Sequence, residues 1–331
     1  MRKSFKILPL LLVVSLTACS NEIYYEDTLF LFDTTVSYKI RGYRGYSGLK
    51  TEGDTVNILK KIDALSDTYR KRDVVGVYDL NQTNERIEIS EDFYNLLYWV
   101  KEAEKVAPYF NSLVGSLSNK WKESLEEKSI LSNEIIQSEL EKISNSELVI
   151  EKSEEGMFAQ RKGDALIDLG AIAKGYALDA CQEYLNDYSS GDYLINAGNS
   201  SILLGLKITK NKKTAQQYSV AINELSNKTS FYTSRSIVST SGISEQGVKI
   251  GDTTYSHIVN PLTGSAINNY DAVIVVMDNK HGNGAIGDAL STSLMMSTLD
   301  EIKEMEKSIG FETIVIKDNA VLYKSESIEL S

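Results

Sequence analysis

The sequence predicts an α+β fold in one globular unit, on three observations. Strand-like stretches at both ends of the chain alternate with helical ones, without the strict strand–helix rhythm of a doubly wound sheet. The 331 residues, 42% hydrophobic, can bury a sizeable core. No linker, internal repeat or low-complexity tract divides the chain.

The elements follow in order. Arg2, Lys3 and Lys6 precede an apolar run, Ile7 to Ala18. As a helix it would span about 18 Å, short of the roughly 30 Å hydrocarbon core of a bilayer. Residues 1–18 therefore read as a signal peptide, not a membrane-spanning helix. The end, Leu16-Thr17-Ala18-Cys19, resembles the lipobox of bacterial lipoproteins. That implies cleavage before Cys19, a lipid on its thiol, and a chain anchored to the cell membrane on its extracytoplasmic face. Ordinary cleavage leaving a stray cysteine is the alternative. Residues 19–27 read as a tether and 28–331 as the folded unit.

Thr28 to Arg41 alternates as a strand. Thr51 to Tyr69 and Ser90 to Val106 carry Leu, Ile and Val at helical spacing, the second with Ser90 as N-cap. Ser132 to Ile143 predicts a polar amphipathic helix within a surface excursion from Lys122 to Glu155. Short strands are expected near Val149, over Met157 to Gln160 and over Ala165 to Asp168, then a helix from Ala171 to Leu185. A strand-rich block follows: Tyr193 to Ser200, then 201–206, 217–223, 231–240, 246–250, 253–259 and 271–278. Gly282 to Thr298 passes from a glycine-rich loop into a helix. A helix near 300–309 and strands near 312–324 close the chain.

With Cys19 lipidated only Cys181 remains, which excludes an internal disulfide. Cys181 reads as a small buried apolar residue on a helix, and no zinc-type spacing exists. The formal charge of -11 argues against nucleic-acid binding. An anionic ligand would need local cations or a metal.

Four stretches could carry chemistry. In Asp168 to Asp179, "DLGAIAKGYALD", Lys174 falls in the first turn of a helix, where the dipole is already positive. An anion held at the helix start is one reading; a solvated lysine beside a packed turn is the other. Gly170 and Gly175 allow close approach to the backbone. Asp288 and Thr292 are four apart on a helix and share a face. A carboxylate and a hydroxyl there suit Mg²⁺ shared with substrate phosphates, although a helix start also favours an acid by itself. Tyr255 to Gly264 carries His257, either a proton-transfer group near neutral pH or a structural strand histidine. His281 lies in a loop and reads as exposed. Asn196 to Ser200 either binds a ligand or turns the chain.

Taken in order, "DLGAIAKGYALD", "INAGN", "SHIVNPLTG" and "GDALSTSL" resemble four consecutive blocks of the ApbE family, the FAD:protein FMN transferases. Phe32 to Ile40, Ser66 to Gln82 and Tyr109 to Trp121 resemble earlier segments of that family, so the likeness runs from about residue 28 to about 323. It implies a T-fold-related unit with an active-site cleft. It implies FAD contacts at Phe32, Tyr69, Tyr109, Phe110, Asn111, Asp168, Lys174 and the Val259 backbone. It implies Mg²⁺ held by the Ala171 carbonyl, Asp288 and Thr292, with Ser291 contributing through water. His257 matches the family histidine, a candidate base, and with Asp288 makes up the catalytic pair.

The implied reaction moves FMN from FAD to a threonine or serine hydroxyl of an acceptor protein and releases AMP. A Mg²⁺-dependent FAD pyrophosphatase and a non-catalytic FAD-binding lipoprotein are the alternatives. Three positions depart from the family pattern: Asn111 and Asn260, where members commonly have Asp, and Phe32-Asp33-Thr34, where many have Met-Gly-Thr.

Overall fold

The chain enters the structure, a computed structural model, as a long antiparallel hairpin. Strand β1 (Glu22–Leu31) pairs along its whole length with β2 (Thr34–Tyr43). The described residues are 22–189, 191–208, 216–243, 247–251 and 253–331. Cys19 and the expected signal peptide lie outside them. The hairpin corrects two expectations. Residues 22–27, expected in a tether, are strand. The single strand expected from Thr28 to Arg41 is two strands around a Phe32-Asp33 turn. Both turn residues have positive φ, 53° and 54°, as a tight two-residue hairpin turn requires.

Helix α1 (Tyr46–Ser66) runs back along the hairpin, and α2 (Val77–Gln82) and β3 (Ile87–Glu88) follow. Helix α3 (Glu91–Val106) starts as expected at Ser90, whose hydroxyl accepts the Phe93 N–H at 3.2 Å. Then come α4 (Gly115–Glu126), α5 (Asn133–Ser144), β4 (Glu147–Ser153) and β5 (Gly156–Lys162). The stretch expected as a surface excursion is thus built into the fold: β3, β5 and β4 form a sheet, and Ile136 and Ile143 are core residues. Ala165 to Asp168 is not a strand. It runs extended between partners, with Leu166 accepting from Gly115 and Asp168 donating to Ser112.

The second half holds α6 (Ala173–Tyr188), β6 (Tyr193–Ala197), β7 (Ser201–Leu204), β8 (Tyr218–Ala221), β9 (Ser230–Thr233), β10 (Ser236–Gly242), β11 (Val248–Ile250), β12 (Thr253–Tyr255) and β13 (Ala272–Asp278). Helices α7 (Asn283–Leu294) and α8 (Leu299–Met305), a π-helical turn at Glu306–Gly310, β14 (Glu312–Lys317) and β15 (Ala320–Lys324) complete it. The stretches expected as single strands at 231–240 and 253–259 break at Arg235 and after Tyr255.

Eight strands form one sheet in the order β1-β2-β6-β7-β10-β13-β14-β15, each antiparallel to its neighbours. Strand β13 shows why both faces are covered. Its run Ala-Val-Ile-Val-Val-Met is buried throughout, and a strand's side chains alternate between faces. Val273, Val275 and Met277 join the core under the helices, and Ala272, Ile274 and Val276 join a second cluster with Val220, Phe231 and Ile328.

Helices α6 and α7 cross on the helical face at two glycines. A Cβ on Gly175 would meet the Gly284 carbonyl oxygen at 2.0 Å, and one on Gly284 would meet the Gly175 carbonyl oxygen at 2.3 Å. Gly284→Ala is therefore expected to destabilise the protein by about 1–3 kcal/mol through overpacking. Gly53→Ala, on the exposed side of α1 with nothing within 4 Å of the added carbon, should stabilise it by about 0.5–1 kcal/mol. Thermal melting of the two variants checks the opposite signs.

Candidate active site

Neither α6 nor α7 begins with a capping side chain of its own: Ile172 and Gly282 occupy the N-cap positions. Each helix takes its cap from the other. Asp179 of α6 accepts the N–H groups of Gly284 and Ala285, both at 2.8 Å. Asp288 of α7 accepts the N–H of Gly175 at 2.7 Å. Both aspartates are buried. Serines from the sheet finish the second carboxylate: Ser201 of β7 donates at 2.8 and 3.0 Å, and Ser239 of β10 at 2.7 Å. Burial raises the Asp288 pKa; the Lys174 ammonium, both serines and the Gly175 N–H oppose it.

This exchange changes what the start of α6 offers. In a continuous helix the Gly175 N–H would bond the Ala171 carbonyl four residues back. It bonds Asp288 instead, and among the described residues no N–H replaces it at Ala171. The Ala171 carbonyl is thus left without a donor among the described residues. One turn along α7, Thr292 shares a hydrogen bond with Ser241 at 3.0 Å, and Ser241 also bonds Ser291 at 2.9 Å. Among the described residues no three His, Cys, Asp or Glu side chains form a metal cage. One carboxylate, one carbonyl and one hydroxyl are an incomplete oxygen set, which suits Mg²⁺ completed by water and phosphate oxygens. The residues present fit the ion.

Lys174 sits at the lip of this arrangement. Its ammonium forms no ion pair among the described residues; its one contact is the Gly170 carbonyl at 3.5 Å. Its charge nevertheless reaches Asp168, Asp288 and His257. Asp168 closes a turn by accepting the Gly170 N–H at 2.7 Å. The residue is partly exposed and lines the cleft. Burial raises its pKa against the pull of the Gly170 N–H, Lys174 and Lys122. His257 is exposed. The surrounding protein first, and Lys174 second, hold its pKa below the ordinary value. It is therefore neutral at pH 7 and able to accept a proton.

Phe32, Tyr69, Asp168 and Lys174 line one cleft. The strained turn places Phe32, whose N–H donates to Asp63 at 2.6 Å. Asp67 anchors the mouth: burial would raise its pKa, but the N–H groups of Arg70 and Tyr69 and the Arg70 and Arg72 guanidinium groups outweigh it and hold it low. Tyr69 is half-exposed and bonds Asn119 at 2.8 Å. Burial, then the negative charges of Asp168, Asp33 and Asp67, push its hydroxyl up to about 12.

Other expected residues play different parts. The Tyr109 N–H donates to Ser293 at 3.0 Å, tying its segment to α7. Phe110 and Val259 are core residues and are not among those lining the cleft. Asn111 accepts the Leu113 N–H at 2.8 Å, and Asn260 accepts those of Leu262 and Thr263. These turns need an acceptor and no charge, which is why Asn serves at both positions. Asn196 and Asn199 bond each other, so that stretch turns the chain. His281 is exposed, as expected, and also accepts from the Trp99 indole at 3.3 Å. Cys181 is buried and free.

Sequence reasoning missed Asp179, Ser201, Ser239, Ser241 and Lys122. The serines had a signal: Ser239 and Ser241 sit two apart in a strand, hence on one face. Lys122 carried none, because α4 brings it to Tyr69 from a segment expected at the surface.

The model of the ApbE family matches residues 32–315. The chain belongs to the ApbE family. Among similar proteins, the FAD:protein FMN transferase of Haemophilus influenzae is 24% identical over 345 residues, covering 97% of this chain and 95% of that one. That of Klebsiella pneumoniae is 28% identical over 204 residues, 60% of this chain and 62% of its own. The ApbE protein of Thermotoga maritima shares the fold with a TM-score of 0.75 at 21% identity, covering 92% of this chain and 98% of its own. The flavin transferase ApbE of Vibrio cholerae does so with a TM-score of 0.72 at 20% identity and the same coverage. These likenesses bear out the expected family and the α+β fold.

Burial pushes the Asp179 carboxyl up to about 8; the N–H groups of Ala285 and Gly284 oppose this and the charge of Asp288 adds to it. An unfolded aspartate titrates near 4. The stabilisation from holding this proton is thus full below about pH 4 and is lost as pH rises through about 8. Asp179→Asn should flatten the fall in melting temperature between pH 5 and 9. An unchanged slope would show that Asp179 does not carry it.

Proposed function

We propose that this ApbE-family chain is a Mg²⁺-dependent FAD:protein FMN transferase. It moves FMN from FAD to a threonine or serine hydroxyl of an acceptor protein and releases AMP. The observation that carries the reading is that Lys174, in no ion pair among the described residues, lines a cleft with Phe32, Tyr69 and Asp168, and its charge acts on Asp288 and His257. A base, a cation and an incomplete oxygen set are what transfer from a diphosphate requires. The relatives named as FAD:protein FMN transferases support flavin transfer in general.

The acceptor oxygen bonds the phosphorus of the FMN half. The bond from that phosphorus to the bridging oxygen breaks, and AMP leaves with the bridging oxygen. His257 takes the hydroxyl proton, its lowered pKa keeping it free to do so. Lys174 meets the diphosphate charge at the amino end of α6. Phe32 and Tyr69 offer flat surface to the ring systems. The Ala171 carbonyl, Asp288 and Thr292 would hold Mg²⁺, which supplies charge neutralisation at the diphosphate. Ser201 and Ser239 orient the Asp288 carboxylate.

The test incubates lipid-free protein with FAD, Mg²⁺ and a candidate acceptor domain, then reads in-gel flavin fluorescence and AMP. The account expects labelled acceptor with AMP from the parent and neither from Asp288→Ala. His257→Ala should be slower by roughly 10²–10⁴-fold. AMP without label would identify an FAD hydrolase, and bound FAD without product a carrier. Full activity of Asp288→Ala would remove the metal assignment, and unaltered turnover of His257→Ala would remove the base.

A further inference from the structure

The open end of the β1–β2 hairpin carries an exposed aromatic patch around one arginine, Arg44. From Thr34 to Thr51 the chain has Lys39, Arg41, Arg44 and Lys50 and no acidic residue, against a net charge of -11. Lys39, Arg41 and Lys50 pair with Glu26, Asp192 and Asp54, while Arg44 is exposed. Around it Tyr43 is 63%, Tyr46 83%, Leu49 58% and Tyr188 62% exposed.

These residues form one surface. Tyr46 and Leu49 are three apart on α1 and share a face. Tyr46 and Tyr188 both act on the Lys50 ammonium, and the Thr51 hydroxyl donates to the Tyr188 carbonyl at 3.4 Å. Tyr43 lies over the first turn of α1, where a Cβ on Gly48 would meet its carbonyl oxygen at 2.1 Å.

The folded chain also begins here, because Glu22 pairs with Tyr43. Cys19 precedes Glu22 by three residues, a reach of at most about 11 Å. A lipid on Cys19 would hold this end against its membrane. Rings with a polar tip settle at the headgroup level, and basic residues are drawn to anionic lipid.

We propose that the face of Tyr43, Arg44, Tyr46, Leu49 and Tyr188 rests on an anionic bilayer and orients the anchored chain. The proposal rests on reading Cys19 as the lipid-bearing residue. Its consequence is a fixed stand-off for the site. Helix α1 has 21 residues and spans about 30 Å, with the patch at its start and the cleft residues Asp63 and Ser66 at its end. The Phe32 turn is likewise the far end of the hairpin. The cleft faces away from the lipid, toward an acceptor hydroxyl about 30 Å above it.

The experiment replaces the biological anchor with a chemical one. A chain starting at Cys19 is coupled through that thiol to a maleimide lipid, in vesicles of phosphatidylglycerol and phosphatidylcholine with brominated acyl chains. Cys181 is buried and does not compete. Tryptophan is introduced by Tyr46→Trp on the patch or by Leu262→Trp, an exposed position (66%) in the His257 block. The proposal expects the added fluorescence of Tyr46→Trp to be lost to bromine quenching and that of Leu262→Trp to persist. Arg44→Glu in the Tyr46→Trp background should restore the signal. Equal quenching of both reporters, or of neither, would overturn it. The lipid on Cys19 is tested separately, by the mass of the amino-terminal peptide from membranes, so either reading can fail alone.

Discussion

Two buried aspartates hold the site together by capping each other's helices. Asp179 closes the start of α7 and Asp288 closes the start of α6. Helix starts leave N–H groups without partners, and a side chain must supply them when the ends are buried. Here the supply is crossed, so neither helix can move without uncapping the other. The glycines at the crossing make this possible, since a methyl group on either would strike the opposite carbonyl. Small residues, buried acids and the absence of local caps are one device.

The chemistry of the site follows from that device. Because Asp288 takes the Gly175 N–H, the Ala171 carbonyl is left without a donor among the described residues, and α6 opens with a free backbone oxygen as well as its positive dipole. Lys174 adds a cation that no carboxylate neutralises among the described residues. Strands β7 and β10 run under α7 and hold the carboxylate with two serine hydroxyls. The antiparallel sheet thus contributes polar groups from its centre, and the hairpin contributes Phe32 from its far turn. An acidic protein gathers its anion-binding elements at one helix start, while the charged mouth around Asp33, Asp63 and Asp67 is answered by Arg70 and Arg72.

Much of this was legible in the sequence, for reasons that differ by element. The α3 start was readable because Ser90 is a local signal. The four ordered blocks placed Asp168, Lys174, His257, Asp288 and Thr292, and the fold brings Lys174 within reach of three of the others. Local alternation did not show the break at Phe32-Asp33, because neither residue is the glycine or asparagine that such a turn usually carries. Ala165 to Asp168 looked like a strand because it is extended; its partners are loop and side-chain groups far away in sequence. The role of Asp179 is a tertiary fact: its partners lie more than a hundred residues on, and nothing in α6 itself marks an acid there as a cap for another helix.

The central claim is that the crossed caps leave the Ala171 carbonyl, Asp288 and Thr292 to hold a cation beside Lys174. Crystals grown with FAD and Mn²⁺ test it through anomalous scattering from the metal. The account predicts a peak between those three groups and the diphosphate. A peak among Asp33, Asp63 and Asp67 at the mouth of the cleft, with none between α6 and α7, would contradict it.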